Sequence, residues 1–253
     1  MYFDTHAHYC NKRFDDDRDE LLGSMLGAGL SLILEAGCSL DSSKSCLELA
    51  DKHSFIYASV GVHPHDSKDM TDDTASELER LLSHPKAVAV GEIGLDYHYD
   101  FSPRETQRKR FQEQLEMAMR LKKPVIIHMR ESTKDTLDLV SEYRDLTGVF
   151  HCFPGSWDTA KILLDMGWYL SFTGVVTFKN ARRASEVLEK MPSDRLMLET
   201  DCPYMAPEPM RGRRNSSLYL PYIAETVAQV RGISTEDAAA ITMENGKTFF
   251  SIS

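Results

Sequence analysis

Short apolar runs alternate along this chain with stretches whose apolar positions recur at helical spacing, and the alternation persists from end to end. The runs are Tyr2–His8, Leu30–Gly37, Ile56–Val62, Ala87–Gly91, Pro124–Ile127, Gly148–His151, Trp168–Phe172 and Arg195–Asp201, each read as a strand. Between them the pattern predicts helices over Asp15–Ala28, closed by Gly29, and over Ser42–Lys52. Another opens at Thr71 with Leu78, Leu81 and Leu82 on one stripe. Ser102-Pro103-Arg104-Glu105 reads as a capping box, with proline at the first helical position and Phe111, Leu115, Ala118 and Met119 on the face that follows. Later helices carry Leu137 and Val140, then Leu163 and Leu164, then Ala184, Val187, Leu188 and Met191. Leu218–Arg231 and a helix opening at a second capping box, Ser234 to Asp237, close the pattern.

Eight strand–helix units within 253 residues imply parallel strands joined by crossover helices. They point to an α/β fold of the (β/α)8 TIM-barrel type, as a single domain over residues 1–253. An open doubly wound sheet is the runner-up, and the lack of a glycine-rich phosphate loop after the first strand counts against it. The long irregular stretch from Pro203 to Ser217, rich in proline and arginine, follows the eighth strand, where a barrel carries an active-site loop.

In such a barrel the C-terminal strand ends converge on one face, so the polar residue that stops each apolar run is where chemistry belongs. Those residues are His6, His8, His63, Glu92, His128, His151 and Asp201. Residues i and i+2 of a strand share a face, so His6 and His8 can aim both imidazoles at one point. Of the nine histidines, only His53, His84 and His98 lie clearly away from strand ends. One strand-end histidine is usually a hydrogen-bonded structural residue; a series of strands ending in His, Glu or Asp is a set of metal donors. Imidazole and carboxylate without thiolate suit Zn²⁺ or Mn²⁺, and Mg²⁺ where carboxylates and water dominate. Cys152 and Cys202 each follow a donor and, on a strand, would point away from it as buried apolar residues. The donors outnumber the needs of one tetrahedral ion, and a carboxylate at Glu92 can bridge two ions. Two-metal sites of this kind drive hydrolysis with a metal-activated hydroxide, and Asp201 is placed to orient the water or accept its proton.

Composition narrows the setting. No stretch approaches the roughly 18 apolar residues of a membrane span, so no membrane partner is expected. A secretory signal pattern is missing and the five cysteines are scattered, which predicts a reducing, cytoplasmic setting. A formal net charge of -10 opposes non-specific nucleic-acid binding through a broad basic face, yet leaves room for a phosphate substrate held by metal ions.

Six segments together resemble one known family. Phe3-Asp4-Thr5-His6-Ala7-His8, Gly61-Val62-His63-Pro64, Gly91-Glu92-Ile93-Gly94-Leu95-Asp96-Tyr97, Ile127-His128 with Arg130-Glu131, His151-Cys152-Phe153 with Gly155-Ser156, and Leu198-Glu199-Thr200-Asp201 with Pro203-Tyr204 are similar to the ordered motifs of the TatD metal-dependent deoxyribonucleases. The resemblance spans nearly the whole chain and implies an amidohydrolase-like barrel that cuts phosphodiester bonds of DNA, as a 3′-5′ exonuclease on single strands or 3′ ends. It implies two divalent ions held by His6, His8, Glu92, His128, His151 and Asp201, with Glu92 bridging, and no obligate protein partner. His63 and Glu199 match positions close to the site, behind the ligands or on a substrate phosphate. Arg130 and Arg213 are candidate bidentate phosphate donors, and Tyr97 and Phe153 candidate surfaces for base stacking. The chain departs from the family where Ser216-Ser217 replaces the usual Glu-Pro after Asn215, and where Pro154 replaces a serine. A small-molecule amidohydrolase or phosphotriesterase on the same metals is the alternative; a binding protein that has lost catalysis is opposed by the full donor set.

Overall fold

Neighbouring parallel strands need crossovers of a dozen or more residues, and helices supply them throughout this chain. A computed structural model describes residues 1–252. Its strands are β1 (Tyr2–Ala7), β2 (Leu30–Ala36), β3 (Ile56–Val60), β4 (Ala87–Asp96), β5 (Val125–Arg130), β6 (Gly148–Phe150), β7 (Tyr169–Phe172) and β8 (Leu196–Leu198). They form one sheet in chain order, with parallel pairing throughout the observed ladders. The principal helices are α1 (Arg18–Ser24), α2 (Leu40–Lys52), α3 (Asp72–Leu81), α4 (Arg104–Leu121), α5 (Thr133–Val140), α6 (Trp157–Asp165), α7 (Arg182–Lys190), α8 (Leu220–Arg231) and α9 (Thr235–Phe250). This is the (β/α)8 barrel that the alternating pattern predicts.

The chain groups into two compact units, Ala36–His151 and Met1–Glu35 with Cys152–Ser253. In the first, β4 is buried along nearly its whole length, with Ala87, Ala89, Val90, Ile93 and Leu95 shut away from solvent. Strands covered on both faces read as nearly unbroken apolar runs, which is why these were visible in the sequence. Phe111, Leu115 and Ala118 form the buried face of α4, which packs on β4; each large side chain so buried contributes about 2 kcal/mol. In the second unit α9 packs on β1 and β8, with the Phe3 and Phe250 rings 5.8 Å apart.

Two helix starts differ from expectation. Ser102 does not cap α4: Pro103 is the N-cap residue, without a side-chain cap, and the Ser102 hydroxyl instead donates to the His65 carbonyl at 2.8 Å. A proline ring cannot cap, and the serine is recruited by a loop that only the fold brings near. At α9, Ser234 does accept from the Asp237 amide, but the Asp237 carboxylate takes the Ser234 hydroxyl at 2.7 Å instead of reaching back to the backbone. The first helix is also shorter than its pattern, ending at Ser24, and Leu26–Ala28 tightens to a 3₁₀ turn before Gly29 at φ 86.

Candidate metal centre

The strand-end donors gather into two sets, one in each unit. Within Ala36–His151 three imidazoles from three strand ends converge on a single oxygen, Oε1 of Glu92. His151 Nε2 lies 2.8 Å from it, His128 Nδ1 2.9 Å and His63 Nε2 3.3 Å. Glu92 sits mid-strand in β4 and is 3 % exposed. Burial opposes its ionisation, but electrostatic interaction with His151 and His63 and hydrogen bonds with His128 and His151 outweigh that, holding its pKa well below the usual carboxylate range. Burial pushes His63 down to about 4, with Glu92 opposing, so it is a neutral donor at neutral pH. Its Nδ1 accepts the His65 amide at 3.2 Å, which leaves Nε2 facing Glu92. With Nδ1 accepting, the neutral His63 ring carries its proton on Nε2, towards Glu92; His63, Glu92 and His128 lie close enough together to form a group that could hold an ion.

Within the other unit, His6 Nε2 and His8 Nε2 are 3.1 Å apart, and Asp201 Oδ1 lies 3.2 Å from His8 Nε2 and 4.0 Å from His6 Nε2. The Asp201 amide donates to the His6 carbonyl at 2.9 Å and the His8 amide to the Cys202 carbonyl at 2.8 Å, so the ends of β1 and β8 are zipped where their ligands emerge. Both sets combine imidazole with carboxylate, the donor chemistry of sites for Zn²⁺, Mn²⁺ or Mg²⁺.

The remaining candidates are distributed as follows. Glu199 is buried, accepting the Cys152 amide at 2.6 Å and the Ser171 hydroxyl at 2.6 Å. Tyr97 donates its phenol to Asp135 at 2.8 Å, with the Arg104 guanidinium 4.3 Å from the centre of its ring. Arg130 ends β5 and lies over Tyr99. Arg213 is exposed in the loop after β8. Phe153 is buried, its ring edge-on to Phe172 at 6.5 Å. Cys202 is buried as expected, whereas Cys152 is not: it leaves the strand at φ 43 and is only half-buried, its sulfur 3.3 Å from the Thr173 hydroxyl. The chain turns sharply just after His151, so strand alternation no longer sets the direction of Cys152.

Several supporting residues escaped the sequence reading. Asp96 Oδ2 bonds His128 Nε2 at 3.0 Å and His65 Nε2 at 3.1 Å, fixing the ring so that Nδ1 faces Glu92. Burial disfavours the Asp96 carboxylate, and the hydrogen bonds with His128 and His65 more than offset this and lower its pKa. Its motif was noted, but nothing in one sequence says which histidine it meets. Asp96→Asn is expected to lower divalent-ion affinity about 10- to 100-fold with the fold retained, as read by calorimetric titration of chelator-stripped protein. Wild-type affinity in that variant would remove Asp96 from the orientation of His128.

Asp4 plays a matching part on the other side. Its Oδ1 accepts the Thr200 amide at 2.9 Å and its Oδ2 the Ser217 hydroxyl at 2.6 Å. Burial drives it up to about 7 against these donors. Ser217 also receives the Tyr9 phenol at 2.8 Å and donates its own amide back to it, two roles a proline at this position could not fill.

The family model for TatD-related DNases matches residues 3–251. The chain belongs to that family. It is therefore a metal-dependent hydrolase. The uncharacterized metal-dependent hydrolase YabD of Bacillus subtilis is 40 % identical over 254 residues, covering 100 % of both chains. The 3′-5′ ssDNA/RNA exonuclease TatD of Salmonella typhimurium is 33 % identical, covering 99 % of both. Among solved structures, the TatD homologue YjjV of Escherichia coli superposes with a TM-score of 0.93 at 28 % identity, covering 100 % of this chain and 98 % of that one. Among the described residues no helix is long and apolar enough to cross a membrane.

Proposed function

We propose that this TatD-family hydrolase is a divalent-metal nuclease that removes nucleotides from the 3′ end of single-stranded DNA. The observation that carries the reading is the convergence of His63, His128 and His151 on one oxygen of Glu92; the other unit carries its own set of His6, His8 and Asp201. One ion in each set, Mg²⁺, Mn²⁺ or Zn²⁺, would polarise the phosphoryl group and lower the pKa of the attacking water. The 33 % identity to a relative named as an ssDNA/RNA exonuclease supports nucleic acid over a small amide or ester.

The chain's own residues divide the remaining work. Asp201 is the more open of the two carboxylates, its side chain 11 % exposed against 4 % for Glu92, and is the acceptor for the water's proton. Glu92, more enclosed and held ionised, supplies fixed negative charge beside three imidazole rings. Arg130 and Arg213 offer planar guanidinium groups to the phosphates, a geometry that lysine would not reproduce. Asp96 and Asp4 hold His128 and the Thr200–Asp201 turn in place.

The test is cleavage of 5′-labelled single-stranded DNA and RNA by chelator-stripped protein, with each ion added back. Stepwise shortening from the 3′ end that returns only with metal is the expected result. Intact strands alongside hydrolysis of a small lactone or amide would move the protein to the small-molecule hydrolases.

A further inference from the structure

Tyr99 and Phe101, in the loop between β4 and α4, stack with ring centres 5.1 Å apart and planes inclined by 20°. They are 47 % and 56 % exposed. A single exposed aromatic needs no explanation, but a near-parallel pair held open on a fixed loop does. The loop is fixed at several points. Asp96 Oδ1 accepts the His98 amide at 3.0 Å and the Tyr99 amide at 2.9 Å. Lys68 Nζ donates to the Phe101 carbonyl at 3.1 Å, and Arg104 pairs with Asp100 at 2.7 Å.

The pair also sits beside the donor set. His65 touches both, its ring centre 5.4 Å from Tyr99 and 4.8 Å from Phe101, and lies 6.3 Å from that of His128. The same carboxylate, Asp96, orients His128 through one oxygen and holds the aromatic loop through the other. Arg130 brings its guanidinium to 4.7 Å from the centre of the Tyr99 ring, placing a phosphate-binding cation next to the stack. Tyr97, a stacking candidate by sequence, has its phenol on Asp135 and Arg104 across its ring.

We propose that Tyr99 and Phe101 form a stacking platform for an unpaired base next to the cleaved phosphodiester, with Arg130 holding the phosphate of the same nucleotide. This rests on the nuclease reading above and deepens it. Every base has a π-face, so the platform tolerates any sequence. Inside a duplex that face is already covered by the neighbouring pair, so the platform selects single strands.

The test compares the metal-loaded full chain on a short single-stranded oligonucleotide and on strands made abasic at each nucleotide flanking the cleaved bond in turn. Wild type should show a KM about tenfold lower for the intact strand than for one of the abasic strands. The Tyr99→Ala/Phe101→Ala variant should raise the intact KM about tenfold and erase that difference, leaving kcat on the abasic strand unchanged. Tyr99→Trp/Phe101→Trp should restore the discrimination. A double-alanine variant that still discriminates overturns the platform. An equal loss of kcat on both strands also overturns it, because that is the mark of a displaced His128. If wild type cuts no strand at all, the nuclease reading fails and the platform falls with it.

Discussion

Glu92→Ala should remove metal-dependent hydrolysis by about a thousandfold or more while the protein stays folded. The size follows from geometry: three imidazoles meet at one oxygen of this side chain. Without the carboxylate the set keeps three imidazoles but no anionic ligand, and the several kcal/mol of charge stabilisation that a held ion provides is lost with it. Folding is spared because the backbone bond at this position, the Glu92 amide to the Gly37 carbonyl at 2.7 Å, does not involve the side chain, and because removing a buried anion relieves its desolvation. Glu92→Gln should fall between, keeping the shape and losing the charge. The check is the rate on single-stranded DNA with Mn²⁺ or Mg²⁺, beside a thermal melt of each variant. Activity within tenfold of wild type in the alanine variant would show that the metal is held elsewhere.

What a sequence reader can see in this site, and what stays hidden, follows from how a parallel barrel is built. Its strands are apolar on both faces, so a polar residue that stops an apolar run marks a strand end without knowledge of which strands are neighbours. His6, His8, Glu92, His128, His151 and Asp201 all stop such a run, although β4 continues past Glu92 to Asp96 and β5 past His128 to Arg130. Asp4 did not, because it lies inside the first run and its partners Thr200 and Ser217 are about two hundred residues away. Asp96 lies in a segment that was noticed, yet its pairing with His65 and His128 depends on β4 and β5 lying side by side in register. The same holds for Ser102: spacing suggested a helix cap, and a loop contact claimed the hydroxyl instead. Local pattern thus locates strand ends, while the second layer of support comes from contacts distant in sequence.

Gly94→Ala should be the most damaging small substitution in the β4 strand, costing about 4 kcal/mol and lowering the melting temperature by roughly 10 °C. Gly94 pairs with His128 across the β4–β5 ladder at φ 142, a conformation L side chains rarely adopt. A Cβ there would stand 2.0 Å from the His128 carbonyl oxygen and 2.9 Å from its carbonyl carbon. Backbone atoms of a buried neighbouring strand cannot step aside as a flexible side-chain tip can. The two strands must part at the residue that bonds both Glu92 and Asp96, so divalent-ion affinity should fall along with stability. Gly29→Ala is the control: its φ of 86 also favours glycine, but nothing lies within 4 Å of the added carbon. That variant should lose only about 1 kcal/mol and bind metal normally. Thermal melts and metal titrations of the two proteins separate backbone strain, which both share, from collision with His128, which only Gly94 meets. Equal melting temperatures would mean that β4 and β5 tolerate a side chain between them, and that the close approach at Gly94 is not what holds His128 in place.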